Sequence, residues 1–167
     1  MSSIQDKFTE VEFSKQVEPP KNRRLRIIAS RVNELHQSDI MFIWSSGGRY
    51  PYNYILVEID VFSRYVKARA LKKKNADEVL KAMKNIHQGF TPNRIETDSG
   101  TEFKNKKMEH YFNEEKIKFR FGSTGVHEQQ RMVESFHRTL GTIIGKWTNQ
   151  QQRNNKHTDW SIVLIID

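Results

Sequence analysis

Hydrophobic residues in this chain follow two different periods, and the switch between them divides the sequence into elements. "LHQSDIMFIW" (35–44) is an apolar run of strand length. "YNYILVEIDVF" (52–62) alternates, with Ile55, Val57, Ile59 and Val61 on one face, the period-two signature of a strand. "SSGGRYP" between them is turn material. "RYVKARAL" (64–71) follows with almost no connection, which predicts a hairpin between strands two and three. The period then changes. In "NADEVLKAMKNIHQ" (75–88), Ala76, Val79, Leu80, Met83 and Ile86 recur at helical spacing, and Asn75 with Glu78 forms a candidate capping pair. "GFTP" closes that helix, "NRIETD" (93–98) reads as a short strand and "SG" turns out of it. "EFKNKKMEHYFNEE" (102–115) predicts a helix, "IKFRF" (117–121) a strand, and "GVHEQQRMVESFHRTLGTIIGKW" (125–147) a long amphipathic helix. "TNQQQRNN" (148–155) reads as a loop or frayed helix end, and "TDWSIVLIID" (158–167) as a last apolar helix.

The resulting order, β-β-β-α-β-α-β-α-α, predicts an α/β fold: a mixed sheet with helices on its faces. Residues 1–34 lack such periodicity. They carry Pro19-Pro20 and the basic cluster Lys21, Arg23, Arg24 and Arg26, and read as a basic N-terminal arm or linker, solvated or lying on phosphates. The core is placed at 35–167. Because the apolar run stops at Asp167, the chain reads as truncated at its C-terminal end.

Charge sharpens this picture. There are 28 Lys and Arg against 20 Asp and Glu, a net +8, which favours polyanionic partners: nucleic acid first, an anionic membrane surface second. Hydrophobic residues at 36% fit a folded domain better than a disordered basic tail. Cysteine is absent, so any metal must be held by oxygen or imidazole. No apolar run approaches the roughly 18–20 residues a membrane span needs, and the N-terminal stretch has no secretion signal pattern. An intracellular protein is the expectation.

Three acids do not fit their surroundings. Asp39 interrupts an apolar strand, where a charge is costly unless paired or bound to metal; the plain alternative is a strand-edge Asp bonded to a neighbour. Asp98 ends a strand before Ser99-Gly100, as an ordinary Asx turn would. On the long helix, about 100° per residue puts Met132, Val133, Phe136, Leu140, Ile143, Ile144 and Trp147 on one side. Glu134 falls opposite, with Gln130, Arg131, His137, Arg138, Gly141 and Gly145. Alone it reads as a solvated charge paired to Arg138. The two glycines, each costing about 1 kcal/mol in a helix, mean either that something bulky approaches that side or that the helix end is loosely held. Taken together, the acids suggest more. Carboxylates meeting in a partly buried site cannot all stay ionised without a cation. A hard divalent ion supplies one, and on a basic protein a pair of such ions suits phosphodiester chemistry.

Asp39, Asp98 and Glu134, with 35 residues between the second and third, resemble the D,D(35)E pattern of retroviral-type integrase catalytic cores. "HQSDIMFI", "YILVEIDVFSRYVKARAL", "IETDSGTEF" and "VES" followed by F-H-R-T-L carry the same resemblance over about residues 35–147. The wording is most similar to integrases of Maverick/Polinton elements, virophages or LTR retroelements. The resemblance implies a ribonuclease H-like, mixed five-stranded sheet flanked by helices. It also implies a polynucleotidyl transferase with nuclease activity, which trims the 3′ end of element DNA and joins the new 3′-OH to target DNA. By similarity Asp39 bridges two Mg²⁺ (or Mn²⁺) ions, Asp98 holds one and Glu134 the other. His127, Gln130, Arg131, His137, Arg138, Lys104, Lys106 and Lys107 are the candidate DNA contacts.

The resemblance further implies element ends and target DNA as partners, a homodimer or higher oligomer, no membrane, and work in a host nucleus or a virion. This chain departs from the family's pattern at Arg131, where Gly is usual, and at Ser135 and His137, where Asn is common. Two other readings therefore stand beside the first: a weakened DNA-binding or scaffold relative, and a ribonuclease H-like nuclease or transposase. Glu58, Asp60 and Glu102 fall outside the pattern, and Asp60 reads as a hairpin acid bonded to Ser63 or Arg64.

Overall fold

The computed structural model describes residues 29–43, 52–122, 131–154, 156 and 158–162. The basic cluster at 21–26, the turn "SSGGRYP", His127, Gln130, the Arg131 side chain and the run after Ile162 lie outside the described residues.

Five strands form one sheet: β1 (His36–Phe42), β2 (Tyr54–Asp60), β3 (Val66–Leu71), β4 (Arg94–Thr97) and β5 (Lys118–Phe121). Their spatial order is β3-β2-β1-β4-β5. β1, β2 and β3 pair antiparallel, with Asp39 opposite Val57. β4 pairs parallel to β1, and β5 to β4. The mixed five-stranded sheet is the one anticipated. β2 is an interior strand buried on both faces, which explains its nearly unbroken apolar run.

Among the described residues three α-helices cover the sheet: α1 (Ala76–Ile86), α2 (Lys106–Glu114) and α3 (Arg131–Arg153). The first two begin at asparagine caps. Asn75 accepts from the Glu78 N–H and Asn105 from that of Met108, each satisfying an orphan donor of the first turn. The Glu78 carboxylate does not return to Asn75; it accepts the Lys73 N–H instead. Residues 102–105, read as helical, are turns that precede the Asn105 cap. Strand alternation divides the core. Leu56, Ile95, Met83, Ile86, Met108 and Phe112 fill the layer beneath α1 and α2. Ile55, Val57, Ile59, Val133, Leu140 and Ile144 fill the layer beneath α3.

The structure corrects the reading of α3 in three places. The helix runs on through "TNQQQR" to Arg153, because Gln and Arg are good helix formers even where nothing is buried. Ile143, expected on the apolar side, is 57% exposed. The final segment, where described, is a short 3₁₀ turn at Trp160–Ile162. Gly141 also finds its reason: a Cβ there would stand 2.9 Å from the Met41 methyl, so the bulky neighbour belongs to β1. Gly145 meets nothing within 4 Å. Gly145→Ala is therefore expected to stabilise the protein by about 0.5–1 kcal/mol, a rise of roughly 2–4 °C in Tm that a thermal melt would register.

The hairpin acid sits as anticipated. Asp60 accepts from the Ser63 hydroxyl at 2.7 Å and from the Phe62 N–H at 3.1 Å. Burial alone would raise its pKa, but these bonds lower it. The Asn33 N–H also reaches Asp60 at 3.3 Å, so residues just before Leu35 already belong to the fold.

Candidate active site

Parallel strands β1, β4 and β5 end on one side of the sheet, and the connection after β3 returns to that same side. Crevices at such strand ends are where α/β sheets place their sites. Asp39 projects from β1 toward the α3 layer, as its neighbours Met41 and Ile43 do. Asp98 follows directly after β4. Its Oδ1 accepts the Gly100 N–H at 3.1 Å, so the Asx turn is real and also aims the carboxylate. Glu134 is half-buried on α3. Its stripe continues through His137 and Gly141, the positions facing Asp39 and Met41 of β1.

The three acids share one electrostatic environment. Asp39 is pushed up to about 6, first by burial and then by the charges of Asp98 and Glu134; the Ile40 N–H and Lys74 only partly offset this. Among the described residues no three His, Cys, Asp or Glu side chains stand close enough together to hold a metal ion. The acids form an open cluster rather than a closed cage, as expected of like charges facing one another.

His137 does not face outward. It is half-buried, with Nδ1 3.6 Å from Asp39 Oδ2. Burial pushes its imidazole down to about 4, so it is neutral near pH 7 and cannot offset the acids. Arg138 is exposed, as are Lys104, Lys106 and Lys107 around the start of α2. Lys107 Nζ pairs with Asp77 Oδ1 at 2.6 Å, joining the starts of α1 and α2.

Sequence reasoning missed what surrounds the acids. Gln37 and Glu96 are register neighbours, each two residues before an acid on the same face. Glu96 buries its Oε2 without a hydrogen-bond partner. Lys74, on the β3–α1 connection, lies 2.8 Å from Glu102 Oε1. Strand alternation could have flagged Gln37 and Glu96; no periodicity links Lys74 to Glu102.

The integrase core domain family matches residues 29–127, more than half of the chain. The chain belongs to this family. A transposon-derived protein of Caenorhabditis elegans is 29% identical over 108 residues, covering 64% of this chain and 37% of its own length. The catalytic core domain of BIV integrase superposes with a TM-score of 0.60 at 20% identity, over 79% of this chain and 80% of that one. A chain of the simian T-cell lymphotropic virus intasome, in complex with the PP2A regulatory subunit B56 gamma, gives 0.63 at 20% identity, over 72% of this chain and 42% of its own. The ribonuclease H-like fold of integrase cores is thus the fold observed. The chain spans little more than a third of its nematode relative. The family match ends at residue 127, before Glu134.

Proposed function

We propose that this integrase core catalyses divalent-metal-dependent 3′-end processing of mobile-element or viral DNA and its strand transfer into target DNA. The observation that supports the reading is that Asp39 feels the charges of both Asp98 and Glu134 in a member of this family. The donor set fits a hard cation: three carboxylates, a raised Asp39, and a further buried carboxylate oxygen without a partner on Glu96. Asp39, Asp98 and Glu134 would hold Mg²⁺ or Mn²⁺, as two ions. Bound there, the ions supply Lewis-acid activation of the nucleophile and stabilise charge developing on the phosphodiester.

The protein's own groups have simpler tasks. The Asx turn at Gly100 aims Asp98 and the Ile40 N–H, 2.8 Å from Asp39 Oδ1, fixes Asp39. His137, a neutral imidazole against Asp39, limits its swing. Arg138, Lys104 and Lys106 present cations to DNA phosphates, with His127, Gln130 and Arg131 beside them in the chain. In processing, water attacks a phosphodiester and the leaving oxygen takes a proton to become the 3′-OH. In joining, that 3′-OH attacks target DNA and expels a second 3′ oxygen. DNA ends and target DNA are the proposed partners, a homodimer or larger assembly the proposed state, and a host nucleus or virion the proposed location.

His137 beside Asp39 favours one rival, a scaffold relative with a weakened site. A metal-dependent thermal shift separates the two. Mn²⁺ is expected to raise Tm by several degrees in the wild type and by none in Asp39→Asn. An equal shift in both proteins would assign the metal elsewhere and favour the scaffold.

A further inference from the structure

The connection between β3 and α1 carries three consecutive lysines, Lys72, Lys73 and Lys74, at the end of the sheet where the acids gather. Lys74 is built into that end. Its ammonium lies 2.8 Å from Glu102 Oε1, with 40% of the lysine side chain exposed but only 7% of the glutamate's. The Glu102 carboxylate folds back over Gly100, where a Cβ would meet its atoms at 2.5–2.8 Å. The Gly100 N–H in turn donates to Asp98. One buried acid therefore clamps a half-exposed cation above the loop that aims the Asp98 carboxylate, and only glycine at position 100 leaves room for the clamp.

An ammonium has three donors, and Glu102 occupies one. The charges of Asp98 and Asp39 also act on Lys74, and an exposed lysine acts as a point charge for phosphate.

We propose that Lys74, positioned by Glu102, is a DNA-phosphate contact at the mouth of the acid cluster, and that without DNA it competes with divalent cations for the cluster's negative charge. This rests on the metal-site reading above. Metal and DNA then favour each other. Phosphate draws the lysine charge away from the carboxylates, and an ion among the carboxylates repels the lysine toward phosphate.

The test uses the full chain and two readouts. The first is Mn²⁺ affinity without DNA, followed by the loss of free-ion paramagnetic resonance. The second is the salt dependence of binding to a short fluorescent duplex in Ca²⁺. Lys74→Gln is expected to tighten Mn²⁺ binding at least about threefold, since a unit charge a few ångströms away at an effective dielectric of about 20 outweighs screening. It should also reduce the slope of log K against log salt by about one. Lys74→Arg should keep wild-type values for both. If Lys74→Gln leaves either quantity at the wild-type value while Mn²⁺ binding still vanishes in Asp39→Asn, this proposal alone is overturned. Mn²⁺ binding that survives Asp39→Asn overturns the metal-site reading, and this proposal with it.

Discussion

Glu134→Gln is expected to lower cleavage and rejoining of a branched DNA substrate in Mn²⁺ by more than about 100-fold, with the fold retained. The magnitude follows from the assigned role. Even outer-shell partners of metal ligands cost about 10–100-fold when removed, and a ligand itself costs more. The substitution keeps size and hydrogen-bonding shape but removes the charge that, with Asp98, acts on Asp39. Glu134 is half-buried on a helix whose core contacts are made by Val133, Leu140 and Ile144, so melting temperature should change little. Branched DNA is the suitable probe because it does not require the element's terminal sequence. Wild-type turnover by the Gln variant would show that Glu134 is the solvated helix charge of the simpler reading.

Glu58→Ala is expected to be the most destabilising single change, at about 3–5 kcal/mol, the cost of breaking a buried charged pair. Glu58 is 2% exposed in the middle of β2. It accepts from His36 Nδ1 at 2.7 Å and from His87 Nε2 at 2.9 Å. The Tyr111 hydroxyl lies 2.8 Å from His87 Nδ1. Phe90 packs against both imidazoles, at 5.4 and 5.8 Å between ring centroids. Truncation leaves two buried imidazoles without their acceptor. A urea melt should show the midpoint falling with the slope unchanged.

The same group sets a pH dependence. Burial alone would raise the Glu58 pKa, but the charge of His87 and the bonds from both imidazoles overcome it, taking the acid from 4.5 down to about 2. Its contribution is therefore complete above about pH 4.5 and is lost as pH falls toward 2. Wild-type stability should drop through that window, and Glu58→Ala should lose this component of the slope.

Most of the sheet was legible because each strand and helix announces its own period, and because Asn75 caps α1 where the period changes; the Asn105 cap of α2 was read as part of the helix. The acids point to a site only when taken jointly. Asp98 alone is an Asx turn and Glu134 alone a helix charge; their spacing joined them. What stayed hidden depends on contacts between distant positions. Glu58 on a buried strand had to be paired, yet nothing in the sequence names His36 and His87 as its partners. His137 stands on the polar side of α3, and that side leans on β1, with the imidazole turned inward to Asp39. Ile143 failed in the opposite sense: α3 carries more apolar width than the sheet has surface to cover.

The central claim is that Asp39, Asp98 and Glu134 share divalent ions. Anomalous scattering from crystals soaked in Mn²⁺ tests it most directly. The account predicts density between Asp39 and Asp98, with a second peak toward Glu134 when DNA is bound, and the three carboxylates drawn together around the ions. Manganese bound only elsewhere on the protein, with these acids still apart, would contradict it.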